Sequence, residues 1–369
     1  MIRHLLLFLI VGICFSQTTG KISGIISDAE TGEPIIGANV RIADTNLGAA
    51  TDSDGFYYII NLDPGVYRIE VRYIGYQTAI KEVRVSVNRT SETNLLLSES
   101  AIDGDEVTVS ISSMNIKKDQ TSAIKNVSSD QIEILPVENV ADVINMQAGV
   151  VQGHFRGGRS TEVTYLIDGI KVDEGFSSEG QAVALEPDAV SEIEVIIGTF
   201  NAEYGKAMSG VVNQITKSGT NKFEGSTSLS YANYITPNAD IFPGINQLEL
   251  NSNQDYRLQI GGPILRDRLF FFVNYKIGSY NNHLNGFNYF SPSDQSDYSS
   301  DNPDEWVSEH SGDSSLVAMN TSTNSSLMGK LKLVINDKWK TSFLFTNNLG
   351  SWHPYSHAFR YNPNGVAYS

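Results

Sequence analysis

The amino-acid sequence predicts a mostly β protein in three consecutive parts: a small antiparallel β-sandwich, a mixed α+β domain, and about five strands of an incomplete transmembrane antiparallel β-barrel. Three observations predict this fold class. Short alternating strands separated by Gly, Pro and Asp fill residues 21–98, helical periodicity is confined to the middle of the chain, and long alternating strands follow Gly219.

The N-terminal segment 1–16 has the pattern of an export signal. Arg3 precedes an apolar stretch that ends at Ile13, and Ser16 supplies a small residue for cleavage. About nine apolar residues are too few for a membrane span, which needs about 20. We therefore expect cleavage after Ser16 and an exported mature chain. A lipoprotein anchored at Cys14 is the alternative, although a small residue would be expected in place of Ile13.

Composition excludes several classes of site. Cys14 is the only cysteine, so we expect neither disulfides nor thiolate metal sites in the mature chain. The formal net charge is −16 at pH 7, and no basic stripe of the kind that binds nucleic acid is present. HExxH, GxSxG and P-loop patterns do not occur, so we expect no catalytic residue, no metal and no cofactor.

Residues 17–98 are predicted to form the β-sandwich. Polar turn residues separate its strands, and 67–73 alternates apolar and charged side chains. The segment Asp52–Gly55 resembles the start of a calcium loop but lacks the later carboxylates, which favours a turn. The motifs GxxxDxxTGEPIIGANV, TDSDGFY and LDPGVYRIEV resemble the carboxypeptidase-regulatory-like domain, a transthyretin-like module that precedes many outer-membrane receptors of Bacteroidota.

Residues 99–118 are predicted to be a linker that contains one short strand. An acidic pair leads there into a β-branched run: Asp105, Glu106, Val107, Thr108, Val109 and Ser110. A flexible segment with one strand-forming run suits addition to the sheet edge of a partner. In this position it resembles the TonB box, which in that receptor family implies binding of the TonB C-terminal domain, energised by the inner-membrane proteins ExbB and ExbD.

Residues 119–220 are predicted to form the mixed α+β domain. The pattern of Val140, Val143, Ile144 and Met146 predicts a helix that ends at Gly149. Asp168-Gly169 between two apolar runs predicts a turn rather than an acid/base site. A family resemblance rests on the segments LPVENVADVINMQAGV, FRGGRS, LIDG and NAEYGKAMSGVVNQITKSGT, which are closely similar to the plug domain of TonB-dependent outer-membrane receptors. It implies that plug motifs and plug-to-barrel contacts involve Arg156, Gly157, Arg159, Asp168, Gly169, Glu194, Glu203, Tyr204, Gly205 and Gly210.

Residues 221–369 are predicted to contain the N-terminal strands of an outer-membrane barrel. Apolar and polar residues alternate in strands at about 223–234, 255–264, 269–280, 326–336 and 339–348. The connections between them are alternately long and short, with loops at 235–254 and 281–325 and turns at Leu265–Arg268 and around Asp337. Long extracellular loops and short periplasmic turns are typical of such barrels. Five strands cannot enclose a plug, so we expect an N-terminal portion of a longer receptor.

The function implied by the resemblance is TonB-dependent active import of an extracellular ligand, with the plug gating the barrel. The alternative is a non-transporting binding, adhesion or assembly protein of the same architecture, for which the segment 105–110 would be dispensable. We expect an outer-membrane location in contact with lipid, with the N-terminal domain and linker in the periplasm. The segment AGVVQGHFRGGRS departs from the usual pattern of the starch-utilisation-type glycan importers, so the sequence does not decide whether a lipoprotein lid partner exists. The transported ligand is also left unassigned.

Overall fold

The computed structural model describes residues 18–99, 107–109, 123–172, 183–198, 204, 207–238, 240–245, 252–336 and 339–365. The expected export signal and Cys14 lie outside these residues. No helix among the described residues has the length and hydropathy needed to cross a membrane.

The first domain is a sandwich of two β-sheets. Its strands are β1 Gly20–Asp28, β2 Asn39–Ile42, β3 Gly48–Ala50, β4 Phe56–Leu62, β5 Gly65–Arg72, β6 Ala79–Val85, β7 Thr90–Glu92 and β8 Leu95–Leu97, followed by β9 Val107–Val109. One sheet has the order β4-β1-β7, with β8 also paired to β1, and the other has the order β3-β2-β5-β6-β9. Alternate residues of both sheets fill one core, in which Ile22, Ile26, Val40 and Ile69 are completely buried.

Strand direction in the sandwich is mixed rather than purely antiparallel. The pairs β1–β4, β2–β5 and β5–β6 are antiparallel, whereas β1 pairs in parallel with both β7 and β8, and β6 pairs in parallel with β9. Alternation specifies which face of a strand is buried but not the direction of its neighbour. The mostly antiparallel sandwich was therefore predicted and its parallel pairs were not.

The segment Asp52–Gly55 is a turn, as predicted. Oδ1 of Asp52 accepts hydrogen bonds from the amides of Asp54 (3.0 Å) and Phe56 (2.8 Å). Gly55 has a φ of 70°, a left-handed conformation that glycine adopts without steric cost. The carboxylate of Asp52 thus stabilises the turn that leads into β4.

The second domain contains a five-stranded sheet and two short helices. Its elements are β10 Ala123–Ser128, α1 Ser129–Ile134, α2 Val140–Asn145, β11 Val150–Val151, β12 His154–Phe155, β13 Val163–Ile167, β14 Ile170–Lys171, β15 Val190–Ile197 and β16 Gly210–Thr216, with 3₁₀ turns at Ser160–Glu162 and Pro187–Ala189. The sheet has the order β10-β15-β16-β13-β14. Both faces of β16 are buried along its whole length, which places this parallel partner of β13 at the centre of the domain.

The predicted helix is α2, and it ends earlier than predicted. The side chain of Asn139 caps its first turn by accepting a hydrogen bond from the amide of Asp142 at 2.9 Å. Val140, Val143 and Ile144 are buried, whereas Met146 is the C-cap and is 54% exposed. The helix therefore stops at Asn145 rather than at Gly149, and only its first three apolar positions are buried. Helix α1 was not predicted.

The third part is a sheet of five long strands. They are β17 Glu224–Ala232, β18 Asn253–Leu265, β19 Leu269–Tyr280, β24 Ser322–Val334 and β25 Lys340–Trp352, in the order β17-β18-β19-β24-β25. The five predicted strands and the alternation of long and short connections are confirmed; the predicted turn residue Asp337 lies outside the described residues. In β19, the side chains of Phe272, Asn274 and Lys276 are buried, whereas Tyr275 and Ile277 are exposed, as predicted from the alternating pattern.

The long connection after β19 contains regular structure of its own. Two small antiparallel sheets pair β20 with β23 and β21 with β22, between strands β20 Asn285–Phe287, β21 Ser296–Asp297, β22 Val307–Ser308 and β23 Leu316–Ala318. A 3₁₀ turn at Pro303–Glu305 lies in the same connection, whereas the 3₁₀ turns at His357–Phe359 and Pro363–Gly365 follow β25. These strands were not predicted, because two or three residues are too few to show a period of two.

The described residues form two compact units. The first contains residues up to Phe223 together with Gly261–Phe272 and Leu331–Phe343, and thus the sandwich, the second domain and one end of the long strands. The second contains Glu224–Ile260, Val273–Lys330 and residues from Leu344 onward.

Candidate functional site

The predicted partner-binding segment forms a strand on the first domain. Val107, Thr108 and Val109 make up β9, which pairs in parallel with Ala79, Ile80 and Lys81 of β6 in register. Asp105, Glu106 and Ser110, the other residues of the predicted segment, lie outside the described residues. The part of the segment that the structure describes is therefore bound to a sheet edge through its backbone.

Strand β6 can pair with β9 because β5 of the sandwich occupies only one of its two edges. Seven register pairs join β6 to β5, from Gly65–Val85 to Val71–Ala79. In the sheet order β3-β2-β5-β6-β9, β6 would be an edge strand without β9. Edge strands present a row of backbone N–H and C=O groups that readily pair with another strand.

A turn of the sandwich contacts two buried glutamates of the second domain. The amide of Val87 donates a hydrogen bond to Oε2 of Glu192 at 2.8 Å. Oε1 of Glu192 accepts from Nδ2 of Asn126 at 2.7 Å. Glu192 on β15 is only 2% exposed, so both of its carboxylate oxygens accept hydrogen bonds from protein groups instead of from water. The bond from Val87 ties the sandwich to the central sheet of the second domain, whereas Asn126 belongs to β10 of that same sheet.

Glu194 lies two residues further along the same strand and is also buried. It shares a face of β15 with Glu192 because side chains of a strand alternate in direction. Burial, and to a smaller extent the neighbouring charge of Glu192, raises the pKa of Glu194 to about 7, while Asn213 and Arg89 act in the opposite direction. Burial also raises the pKa of Glu192 above its ordinary value. The strand thus carries two carboxyl groups whose ionisation is costly.

Two basic residues of the sandwich complete this contact. Arg84 forms an ion pair with Asp130 at the start of α1, and Nη2 of Arg89 donates to the carbonyl of Ile124 at 3.4 Å. The Arg84–Asp130 pair is solvent-exposed, and such pairs contribute little energy. The bond between Val87 and Glu192 is fully buried and is therefore the stronger restraint.

A polar cluster joins the sandwich to the start of the barrel sheet. Asn221 and Asp267 exchange two hydrogen bonds, of 2.6 Å and 2.9 Å. Asn46 of the sandwich donates to the other oxygen of Asp267 at 2.9 Å, and Lys222 pairs with Asp44 at 2.8 Å. The turn between β18 and β19 therefore contacts both the sandwich and the segment that follows β16.

The segment FRGGRS forms a tight turn packed on the central sheet. The amide of Arg156 donates to the carbonyl of Gly149 at 2.9 Å, and Arg156 and Gly157 have φ values of 47° and 80°. The amide of Arg159 donates to Oε2 of Glu162 at 3.1 Å. A Cβ atom on Gly158 would lie 2.4 Å from Cβ of Ser209. The two glycines permit this turn, one by its positive φ and the other by close approach.

Asp168 and Gly169 form the predicted turn between β13 and β14. Their φ values of 49° and 76°, with Ile167 paired to Ile170, are those of a two-residue type I′ hairpin. Asp168 also reaches across the sheet, because its carboxylate accepts hydrogen bonds from the amide (2.9 Å) and the hydroxyl (2.6 Å) of Thr216. The carboxylate is thus fully engaged in holding the hairpin to β16.

Gly210 and Tyr204 belong to the interior of the second domain. A Cβ atom on Gly210 would lie 2.4 Å from Cδ1 of Phe155, which is completely buried. Tyr204 packs against a cluster of Leu166, Ile196 and Val211. Glu203 and Gly205 lie outside the described residues.

Family comparisons match all three parts of the chain. Residues 22–109 match the CarboxypepD_reg-like domain, residues 116–212 match the TonB-dependent Receptor Plug Domain, and residues 215–342 match the Outer membrane beta barrel domain. The domains are those of a TonB-dependent receptor. This receptor family is located in the outer membrane, works with TonB and binds extracellular ligands.

Individual receptors are similar over much of this chain. The TonB-dependent transporter Oar of Myxococcus xanthus is 25% identical over 89% of this chain and 33% of its own length. The TonB-dependent receptor SusC of Bacteroides thetaiotaomicron is 30% identical over 61% of this chain and 25% of its own length. The structure of the siderophore receptor PirA from Acinetobacter baumannii matches 61% of this chain and 31% of that one, with 18% identity and a TM-score of 0.40. The chain spans about a third of Oar and a quarter of SusC.

The receptor's predicted site residues fall into separate groups rather than one pocket. Val107–Val109 lie on the sandwich, Glu194 faces the contact between sandwich and plug, and the remaining described plug residues form turns and core of the plug. The plug-to-barrel ion pairing of Arg156, Arg159, Glu194 and Glu203 stays a prediction. Among the described residues, no group of three His, Cys, Asp or Glu side chains is placed to hold a metal ion.

Two features of the receptor's site were not predicted from sequence. One is the pairing of β9 with β6, and the other is the contact of Val87 with Glu192. The second had a signal in the sequence, because Glu192 and Glu194 occupy the same face of the apolar strand Val190–Ile197. Charged side chains at alternate positions of a buried strand indicate a polar partner on that face.

Proposed function

We propose that this chain is part of an active importer in the outer membrane. In this proposal the TonB C-terminal domain, energised by ExbB and ExbD, binds residues 105–110 by strand addition and displaces the plug, so that an extracellular ligand passes through the barrel. The observation that supports it is the consecutive match of plug and barrel domains directly after a β-branched segment. No covalent chemistry is involved.

We assign the regions as a signal peptide at 1–16, a sandwich domain at 17–98, a linker with the TonB box at 99–118, a plug at 119–220 and barrel strands from 221.

The sandwich and linker are periplasmic in this proposal. The support comes from connection lengths: β18 and β19 are joined by a short turn, whereas β19 and β24 are separated by residues 281–321. Short turns face the periplasm in such barrels, and the short turn is the one that contacts Asn46 of the sandwich. The outward-facing side chains of the strands would contact lipid.

Binding to TonB tests the proposal. The purified TonB C-terminal domain is titrated against the full chain and against a synthetic peptide of residues 103–112, each with its Val107→Pro counterpart. Proline removes a backbone N–H and resists strand pairing, so we expect binding by the native peptide and loss of at least tenfold in affinity by the proline peptide. The peptide has no fold to lose, so its result reports the segment alone.

The alternative function gives a different outcome. If neither peptide nor chain binds TonB, while the chain retains the circular dichroism of a folded β protein, the import proposal is wrong. A non-transporting binding or assembly protein, for which residues 105–110 are dispensable, then becomes the better explanation.

A further inference from the structure

We propose that the sandwich locks the plug to the barrel strands, so that the plug cannot move until the turn between β4 and β5 has detached from those strands. This inference rests on the proposed function and adds a release step to it. The lock consists of two groups of contacts made by one domain: Val87 bonds to the plug, and Asn61 and Asp63 bond to the barrel strands. All of these contacts lie within the first compact unit.

The turn between β4 and β5 is held in shape by contacts of its own. Strand β4 ends at Leu62 and β5 begins at Gly65. The hydroxyl of Tyr67 donates a hydrogen bond to the carbonyl of Asp63 at 2.9 Å. Asn61 has a φ of 60°, a conformation that asparagine adopts more readily than most residues. The carbonyl of Asn61 and the carboxylate of Asp63 are thereby held in fixed positions.

Two lysines of the barrel strands bind this turn. Lys332, near the end of β24, forms an ion pair with Asp63, and Nζ of Lys340, the first residue of β25, donates to the carbonyl of Asn61. The side chains of Lys332 and Asp63 are only 15% and 31% exposed. Nζ of Lys332 also lies 5.7 Å from the centroid of the Phe270 ring, which adds a favourable contact for a cation. The pair is therefore screened less by salt than an ion pair on the open surface.

The sandwich contacts three neighbouring ends of the barrel strands. The segment before β17 binds it through Lys222, and the turn between β18 and β19 binds it through Asp267. The hairpin of β24 and β25 binds it through Lys332 and Lys340. A single contact would leave the sandwich free to swing about that point, whereas contacts at three points restrain its rotation as well as its translation. The sandwich is therefore fixed to the strand ends.

The same domain is bonded to the plug through a different loop. Val87 lies between β6 and β7 and donates to the buried carboxylate of Glu192. Because the two loops bind different parts of the chain, movement of the plug away from the barrel strands has to break one group of contacts. A buried hydrogen bond to a charged acceptor is stronger than a partly exposed ion pair. We therefore expect the contacts of Asn61 and Asp63 to break first and to release the sandwich together with the plug.

Hydrogen exchange of β16 in the full chain tests the lock. The amides of Gly210–Thr216 are buried at the centre of the plug, so they exchange when the plug opens. Lys332→Met keeps the length of the side chain and removes its charge, and we expect exchange of β16 to become about two- to fivefold faster, as for the loss of one ion pair. Asp63→Asn removes the opposite charge with little change of shape and should have the same effect. The two substitutions together should accelerate exchange no more than either one alone.

A second background separates the lock from a local effect of Lys332. Glu192→Ala removes the acceptor of the Val87 amide, so the restraint at the strand ends no longer reaches the plug through this bond. In that background Lys332→Met should accelerate exchange of β16 by less than 1.5-fold, which is about the limit of a detectable interaction between two sites. Acceleration by the same factor with and without Glu192→Ala would show that Lys332 acts locally, and the inference would be wrong.

Lys21→Met is the matched control, because it removes the same charge from an exposed position on β1. It should leave exchange of β16 unchanged. Equal acceleration by Lys21→Met and Lys332→Met would reflect net charge and would overturn the inference, as would normal exchange in both Lys332→Met and Asp63→Asn. None of these measurements involves TonB, whereas the peptide titration decides the proposed function, so the two failures are distinguishable.

Discussion

The amide of Val87 donates a hydrogen bond to Oε2 of Glu192 at 2.8 Å, across a sequence separation of 105 residues. The two residues belong to different domains, and the acceptor is a carboxylate on the central sheet of the plug. A buried bond to a charged acceptor typically contributes about 1.5–3 kcal/mol. The sandwich is therefore attached to the element that the transport cycle is proposed to move.

Replacement of Glu192 should loosen this attachment. Glu192→Ala leaves the amides of Val87 and Asn126 without their acceptor, and we expect the free energy of unfolding of the sandwich–plug unit to fall by about 1–3 kcal/mol. Glu192→Gln keeps an oxygen acceptor and should cost less. Urea denaturation at pH 6 measures both. The control is Glu138→Ala, at an exposed position, which should leave the midpoint unchanged; an equal loss for both alanine variants would contradict the assignment.

The pH dependence of stability should reflect Glu194. Burial raises its pKa in the folded state to about 7 from an ordinary value of 4.5. The folded state therefore binds the proton more tightly than the unfolded state, so this contribution is complete below about pH 4.5 and is lost as pH rises through 7. We expect the native protein to be less stable at pH 8 than at pH 5.5 with respect to this group.

The variant Glu194→Gln isolates that group, because glutamine has a similar shape and does not ionise. It should be more stable than the native protein at pH 8, by on the order of 1–3 kcal/mol, and similar to it at pH 5. Thermal unfolding at a series of pH values measures the difference. A native protein and a variant whose stability curves run parallel from pH 5 to 8 would show that Glu194 does not titrate in this range.

Removal of the Asp168 carboxylate should release the β13–β14 hairpin from β16. Asp168→Ala deprives the buried amide of Thr216 of its 2.9 Å acceptor, and we expect a loss of about 2–3 kcal/mol with faster hydrogen exchange at Thr216. Asp168→Asn should retain most of the stability, since asparagine tolerates a positive φ and still offers an oxygen. Unchanged exchange at Thr216 in the alanine variant would be inconsistent with the bond.

A side chain at Gly210 should displace Phe155. The new Cβ atom would lie 2.4 Å from the ring, so Gly210→Ala should cost about 1–3 kcal/mol through overpacking. The double variant Gly210→Ala with Phe155→Leu should recover part of that loss, because the two residues share one site. Gly329→Ala is the control, since a Cβ atom there meets no atom within 4 Å. Additive effects in the double variant would argue against a shared site.

Regular elements were the part of this structure that sequence could predict. The long strands were found because alternation over ten or more residues is unambiguous. The bounds of β19, Leu269–Tyr280, are those predicted, whereas β24 begins at Ser322 rather than at residue 326. Helix α2 was found because Val140, Val143 and Ile144 share one face, whereas its end depends on whether Met146 is buried. The burial of Met146 depends on tertiary structure, which a local sequence pattern does not specify.

Contacts distant in sequence could not be predicted in the same way. Val87 carries no feature that marks its amide as a donor to a glutamate of another domain. The segment 107–109 has strong β propensity, but propensity does not specify which sheet edge it joins. Asp168 was easier, because Asp-Gly between apolar runs predicts a local turn, although the bond from Thr216 depends on the position of β16.

The position of β9 along the chain has a mechanical consequence. Segment 100–106 connects it to the sandwich and segment 110–122 connects it to the plug. In the proposed transport cycle, a partner that pulls on β9 therefore loads the folded domains that lie on both sides of it in the sequence. The weaker body yields first, so the relative resistance of sandwich and plug to extension decides which of them is unravelled.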